Sequence, residues 1–250
     1  ATPTLVAALW RLAQGLEPVE PDMQLGHAAN YLWMLTGERP SAEAARALEQ
    51  YLIVTVDHGF NASTFTARVI ASTGADAAAC LVGAVGALSG PLHGSAPGRA
   101  LEALEAIGTP DRAEGYIRAA LERGERIMGF GHAVYVTHDP RSEMLRSVAE
   151  RQGGELVDLA VTVERTVTAV LAELRPGRPL YANVEYYAGV VLRGCGLDPA
   201  LFSPSFAVAR VIGWSANIAE QAEDRKIIRP VATYVGPPPP EPVPPASERG

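Results

Sequence analysis

Residues 57–96 read DHGFNASTFTARVIASTGADAAACLVGAVGALSGPLHGSA. Two apolar stretches lie between two histidine turns, Asp57-His58-Gly59 and Gly90-Pro91-Leu92-His93-Gly94. The first predicts a helix from Ala62 to about Ser72, stopped near Gly74. The second, Ala75 to Leu88, is apolar nearly all round and rich in Ala and Gly. A helix of that composition is expected to be buried on most sides, with small residues that let a neighbour approach closely. A subunit interface is compatible with the same pattern.

Working outward, Leu5, Ala8, Leu9 and Leu12 recur at helical spacing and predict an opening helix. His27 to Leu35 is a second short apolar helix. Ser41 is a candidate N-cap, with Glu43 in the first turn of a helix running to about Val56. Pro97 suits the first turn of a helix to about Ile107. Thr109-Pro110-Asp111 opens another, to Arg123. Asp139-Pro140-Arg141 begins the next, and Glu155 to Leu174, Asn183 to Leu192 and Ser203 to Glu223 follow. Strand signals are few, so the fold class is mainly α, with helices packed in layers. Beyond Gly236 the chain turns to PPPPEPVPPASERG, an extended polyproline tail draped over the surface or disordered.

The chain has 250 residues, enough for one large core or two modest ones. Its net charge of −7 argues against a nucleic-acid partner, which needs a basic face. If the ligands are anions, the cations that hold them must be concentrated locally. Cys80 and Cys195 form neither a CxxC unit nor a disulfide framework, so a reducing cytoplasm is the expectation. Ala1 to Gly15 reads as an amphipathic helix rather than a signal peptide, and Ala75–Leu88 is shorter than the roughly 20 residues a bilayer span needs. No membrane association is expected.

Three of the five histidines, His58, His93 and His132, stand at turns flanked by glycine, which lets the chain bend sharply and a ligand approach the backbone. One such histidine reads as a surface residue; three in a common context point to a shared site. Their spacing is not that of a metal site, and neither cysteine lies near them, so no metal is expected. Arg141, Arg210 and Arg229 form a second group. Arg210 lies in the apolar run FAVARVIGW, where an arginine is either paired internally or used to grip a carboxylate; both readings stand. Glu185, in YANVEYYAG, is an isolated acid on an apolar helix. Desolvation there would raise its pKa into the range of a general base.

These blocks resemble citrate synthases. DHGFNASTFTARVIASTGAD and GALSGPLHGSA, then MGFGHAVYVTHDPR, NVEYYAG, FAVARVIGW, EQ, IIRP and YVGP, occur in family order from about His27 to Gly236. Glu185 and the GSAP turn look closest to the second, paralogous citrate synthases of some bacteria. The resemblance implies an almost all-α fold with a large and a small domain and the active site in the cleft between them. Residues 1–98 and 198–236 would belong to the large domain, 99–197 to the small one, and 237–250 to the tail. It implies condensation of an acyl-CoA with oxaloacetate to citrate and free CoA, with no cofactor. Glu185 would remove the thioester methyl proton, His93 donate to the thioester oxygen, and His132 polarise the ketone. His58, Arg141, Arg210 and Arg229 would hold substrate carboxylates, the last reaching in from a neighbouring subunit of a homodimer.

The sequence departs from the family pattern in four places. The usual base is aspartate; Glu185 is longer by about one C–C bond, roughly 1.5 Å, with nearly the same basicity, about 4.3 against 3.9. Ala133 and Val136 replace basic residues that meet the CoA phosphates. Asn217 stands where histidine is usual, and cannot be protonated. Typical members also carry well over a hundred residues before the match to Ala1. A piece of a longer chain, a partial gene and one half of an enzyme with a separate N-terminal subunit all fit that pattern, and a fragment would expose apolar helix faces. Two further alternatives are 2-methylcitrate synthesis from propionyl-CoA and a catalytically incomplete, ligand-binding subunit.

Overall fold

The computed structural model describes residues 1–90, 93, 96–131, 137–174, 180–224, 226–237, 245 and 247. Eleven α-helices are present among them: α1 (Thr2–Ala13), α2 (His27–Thr36), α3 (Ala42–Thr55), α4 (Ala62–Ala71), α5 (Ala77–Leu88), α6 (Ala96–Ile107), α7 (Ala113–Glu122), α8 (Pro140–Gln152), α9 (Glu155–Leu174), α10 (Val184–Gly194) and α11 (Phe202–Asp224). The only β pairing among the described residues is an isolated antiparallel bridge between Phe130 and Ala182. None of their helices is long and apolar enough to cross a membrane. Most of the proline-rich tail lies outside the described residues.

Side-chain caps decide where several helices start. Ser41 accepts from the Ala44 N–H, Asn61 from Thr64, Asp76 from Ala79, Asp139 from Arg141 and Asn183 from Glu185. Each satisfies a backbone donor that has no partner inside the helix. The Thr109-Pro110-Asp111 start forms a short 3-10 turn, Pro110–Arg112, before α7.

The helices pack as two groups. In one, α11 lies against α1, α3, α4 and α5, and α2 against α1 and α3. In the other, α10 packs on α6, α8 and α9, and α7 on α9. The groups meet where α3 touches α8 and α10, and where α6 touches α11. Buried aromatic side chains fill both, among them Tyr31, Tyr51, Phe202 and Trp214 in the first and Tyr186 and Tyr187 in the second.

The opening helix is present as expected, on a packed face its leucines do not mark, and one expectation, the burial of α5 on most sides, is corrected. In α1 the stripe Leu5, Leu9 and Leu12 is exposed, at 60, 66 and 56%, while Ala7 is buried and Val6 and Trp10 pack on the core. The spacing is helical, but the packed face is the other one. In α5 only Cys80, Ala84 and Leu88 are buried, and Val82 and Val85 stand out at 72 and 49%. That helix is covered on one side, by α4 and α11, instead of on most sides.

One face of α11 grips the turn between α3 and α4. Arg210 Nε donates to the Thr55 carbonyl at 2.9 Å. Gly213 lies so close that a Cβ there would meet the Val56 carbonyl at 2.3 Å. Asn217 Oδ1 accepts from Arg68 Nη1 at 2.9 Å and its Nδ2 donates to Asp57 Oδ1 at 3.3 Å. Arg68 also pairs with Glu220 and donates to Gln221. Asn217 is therefore the acceptor for a nearly buried guanidinium, which a protonated histidine at that position would repel.

Gly213→Ala is expected to lose about 2 kcal/mol, the usual range for overpacking. Gly115→Ala, in the exposed interior of α7 with nothing within 4 Å of the new Cβ, is expected to gain about 0.5–1 kcal/mol. Chemical denaturation of both variants checks the contrast.

Candidate active site

The cluster forms where the two helix groups meet. His93 follows α5, and its Nε2 lies 2.8 Å from Ser63 Oγ on α4. Ser63 is fully buried and accepts from Trp214 Nε1 of α11 at 3.1 Å. Its single proton has two acceptors in reach, His93 Nε2 and Asn61 Oδ1, the latter at 2.7 Å. When the proton points at the ring, Nε2 is the acceptor and Nδ1 carries the hydrogen; when it points at Asn61 the tautomer reverses. Burial, helped by the positive charge of Arg210, lowers the His93 pKa below its ordinary value. The ring is therefore neutral at pH 7, a hydrogen-bond donor rather than a cation.

Glu185 is the second residue of α10, fixed by the Asn183 cap. The residue keeps partial exposure, yet its Oε2 is sealed and has no hydrogen-bond partner among the described residues. Enclosure pushes its pKa up to about 7 against the opposing pull of Arg141 and Arg210, with Asp139 adding to the rise. A carboxyl that is half-ionised at neutral pH, with an unsatisfied oxygen, is equipped to take and return a proton.

Arg210 is 1% exposed. Its guanidinium stacks over Phe206 at 4.7 Å and has no ion pair within 4 Å among the described residues. Of the two readings open for an arginine in an apolar run, the internal salt bridge is absent there. Arg141 is paired side-on with Asp139, through Nε at 3.0 Å and Nη2 at 2.8 Å. His58 sits half-buried in the α3–α4 turn, where its carbonyl accepts from Asn61.

The structure thus brings His93, Glu185, Arg141 and Arg210 within electrostatic reach of one another, and places His58 in the turn that Arg210 anchors. It does not bring Arg229 to them: that residue is exposed on the extended stretch after α11, held nearby by Ile228 N–H donating to Ser72 Oγ at 3.0 Å. His132, Ala133 and Val136 lie outside the described residues. Three further residues were not singled out from the sequence. Ser63 orients His93, Asp139 pairs with Arg141, and Tyr51, buried with no partner for its hydroxyl among the described residues, lies in the field of Glu185 and Arg210. Ser63 and Tyr51 look like ordinary helix residues in sequence, and Asp139 is legible only as a cap.

A cavity of about 410 Å³ opens between α6, α7 and residues 125–128. Its floor is Ala103, Ala106, Ile127 and Met128, and Arg99 and Arg126 stand at it. Among the described residues no group of three His, Cys, Asp or Glu side chains is arranged to hold a metal.

The family model described as "Citrate synthase, C-terminal domain" matches residues 1–231. The chain belongs to the citrate synthase family. It is 41% identical over 234 residues to the citrate synthase of Deinococcus radiodurans, covering 93% of this chain and 62% of that one. It is 43% identical over 240 residues to citrate synthase 2 of Bacillus subtilis, covering 94% and 63%. The fold matches citrate synthase of Thermoplasma acidophilum, solved in a ternary complex with carboxymethyl coenzyme A and oxaloacetate, with TM-score 0.87 at 29% identity over 99% of this chain and 66% of that one. The chain spans about six-tenths of the length of the curated relatives it matches. In those relatives the matched region is part of one longer citrate synthase chain, so a separately encoded N-terminal subunit finds no support among them.

The raised Glu185 pKa links stability to pH. Between its unfolded value of 4.5 and about 7 the folded state holds a proton that the unfolded state has lost. Stability therefore falls as pH rises through that window and levels off above it. The full loss is up to about 3 kcal/mol, at roughly 1.4 kcal/mol per unit. Glu185→Gln is expected to remove this component, so its thermal midpoint falls less than that of the parent between pH 5 and pH 8.

Proposed function

We propose that this chain carries the acyl-CoA:oxaloacetate condensation of a citrate synthase, giving citrate and free CoA. The observation that carries the reading is Glu185: an enclosed carboxyl with a pKa of about 7 and an unpartnered oxygen, set beside two arginines. A thioester methyl is a very weak carbon acid, and a carboxylate can deprotonate it only if the enolate oxygen is stabilised as charge develops. Glu185 takes the methyl proton while His93, in the tautomer in which Ser63 donates to Nε2, donates through Nδ1–H to the thioester oxygen. The nucleophilic carbon then forms a bond to the ketone carbon of oxaloacetate, and by family match His132 supplies the proton for the resulting alkoxide. Water cleaves the thioester and releases CoA.

Oxaloacetate is a dianion, and Arg141, Arg210 and His58 would hold its carboxylates, for which the guanidinium fork is suited. Arg210 is suited to this role because no carboxylate among the described residues pairs with it within 4 Å. The CoA phosphates need cations that positions 133 and 136 do not offer; Arg99 and Arg126 at the cavity supply two. The exposed faces of α5 and of residues 227–235 support a homodimer in which Arg229 completes the partner's site. The two helix groups correspond to the large and small domains, and their closure would exclude water before the acyl-CoA reacts.

Release of free CoA from acetyl-CoA on adding oxaloacetate, followed with a thiol reagent, tests the reaction. Glu185→Gln is expected to lower the rate at least about a hundredfold. Propionyl-CoA in parallel reads the acyl preference, where one methylene amounts to about 1–3 kcal/mol. A folded chain that binds oxaloacetate but releases no CoA would overturn the catalytic reading in favour of a ligand-binding one. Ser63→Ala removes the hydroxyl that sets the His93 tautomer. It is expected to lower kcat about tenfold to a hundredfold with little change in KM, consistent with one lost polar contact at the ring.

A further inference from the structure

Asp139 is the one acid in the buried class among the described residues, at 2% exposure. Its Oδ1 accepts from the Arg141 backbone N–H and from Arg141 Nε, both at 3.0 Å. Its Oδ2 accepts from Arg141 Nη2 at 2.8 Å and from the Val184 N–H at 3.1 Å. Val184 is the first residue of α10 and immediately precedes Glu185. One carboxylate therefore joins the start of α8 to the start of α10, across 45 residues of chain. Capping alone does not call for this arrangement. Ser41, Asn61 and Asn183 cap their helices without a charge, and burying a carboxylate is costly unless it is paired.

We infer that Asp139 is a positioning residue, which fixes the plane of the Arg141 guanidinium and ties it to the helix start that presents Glu185, so that carboxylate grip and proton acceptor keep a set spacing. The inference rests on the proposed roles of Arg141 and Glu185. It has an electrostatic side as well. The groups that face Glu185 are Arg141 and Asp139 from α8 and its cap, Arg210 from α11 and Tyr51 from α3. The two arginines favour the ionised carboxylate, and Asp139 opposes them. Burial works against ionisation of Asp139 itself, but its bonds from Arg141 and the Val184 N–H outweigh it and hold its pKa below the ordinary value. Removing its charge leaves Arg141 acting on Glu185 unopposed, so Glu185 should ionise at lower pH.

Two variants separate the tether from the charge. Asp139→Asn keeps the shape and loses the charge. Val184→Pro deletes the N–H that Asp139 accepts and exchanges one core side chain for another of similar size, at a first helical position where proline is tolerated after the extended backbone of Asn183. For Asp139→Asn, KM for oxaloacetate is expected to rise at least about tenfold, the effect of one charge-assisted hydrogen bond. The acid limb of its pH–rate profile is expected to move down by about one unit. Val184→Pro should lower kcat and leave the acid limb in place. Ser41→Ala, a cap lost far from the cluster, should move the thermal midpoint alone. If Asp139→Asn likewise changes only the midpoint, with KM and the acid limb unmoved, Asp139 is a structural cap and the inference is wrong. If the parent chain releases no CoA, the proposed function fails separately. Asp139 is then judged from oxaloacetate binding by calorimetry and from the pH dependence of the midpoint in Asp139→Asn with and without Glu185→Gln. Unchanged affinity together with an unchanged pH window overturns it there too.

Discussion

The cluster depends on how closely α11 lies against the turn between α3 and α4. Arg210, Gly213, Trp214 and Asn217 fall on one helical face, and each meets that turn or the start of α4. Gly213 sets the approach, because any side chain would strike the Val56 carbonyl. Only at that distance does Arg210 reach Thr55 and Trp214 reach Ser63. The orientation of His93 follows from Ser63, so a backbone contact between two helices fixes a ring that belongs to neither.

Around this contact the charges are arranged against solvation preference. Arg210 and Asp139 are almost fully buried, and the Glu185 carboxyl is enclosed. Charges so placed interact more strongly than at the surface, and they move one another's pKa. The result is a neutral imidazole, a carboxyl poised near neutrality and a concentration of positive charge in an acidic protein. Such a set favours an anionic ligand and a proton-transfer step. It also explains why the net charge of the chain carries so little information about its site.

Much of the helical layout was readable along the chain because its causes are local. Ser41, and the Asp139-Pro140 pair, mark their helix starts within a few residues, and Glu155–Leu174 is periodic throughout. The faces of α1 and α5 were not, since which side of a helix is packed depends on neighbours distant in sequence. The same division holds at the site. His93, Glu185 and Arg210 stand out by chemical context: a glycine-flanked turn, an isolated acid, a cation in an apolar run. Ser63, Tyr51 and the second role of Asp139 depend on contacts made 30 to 151 residues away, or on burial, and no local pattern announces them.

The isolated bridge between Phe130 and Ala182 looks minor beside eleven helices. Yet Gly131 N–H donates to the Tyr181 carbonyl, Asn183 N–H to Gly129 and Asn183 Nδ2 to Gly131. Residues 129–131 and the first turn of α10 are thereby stapled into one rigid piece. His93 belongs to the other piece, through Ser63 and α4. A hinge motion between the helix groups would therefore leave Glu185, Asp139 and Arg141 fixed relative to one another and alter their separation from the groups on the other side, Arg210, Tyr51 and the His93 ring. The small bridge makes the site a caliper, with one jaw on each helix group.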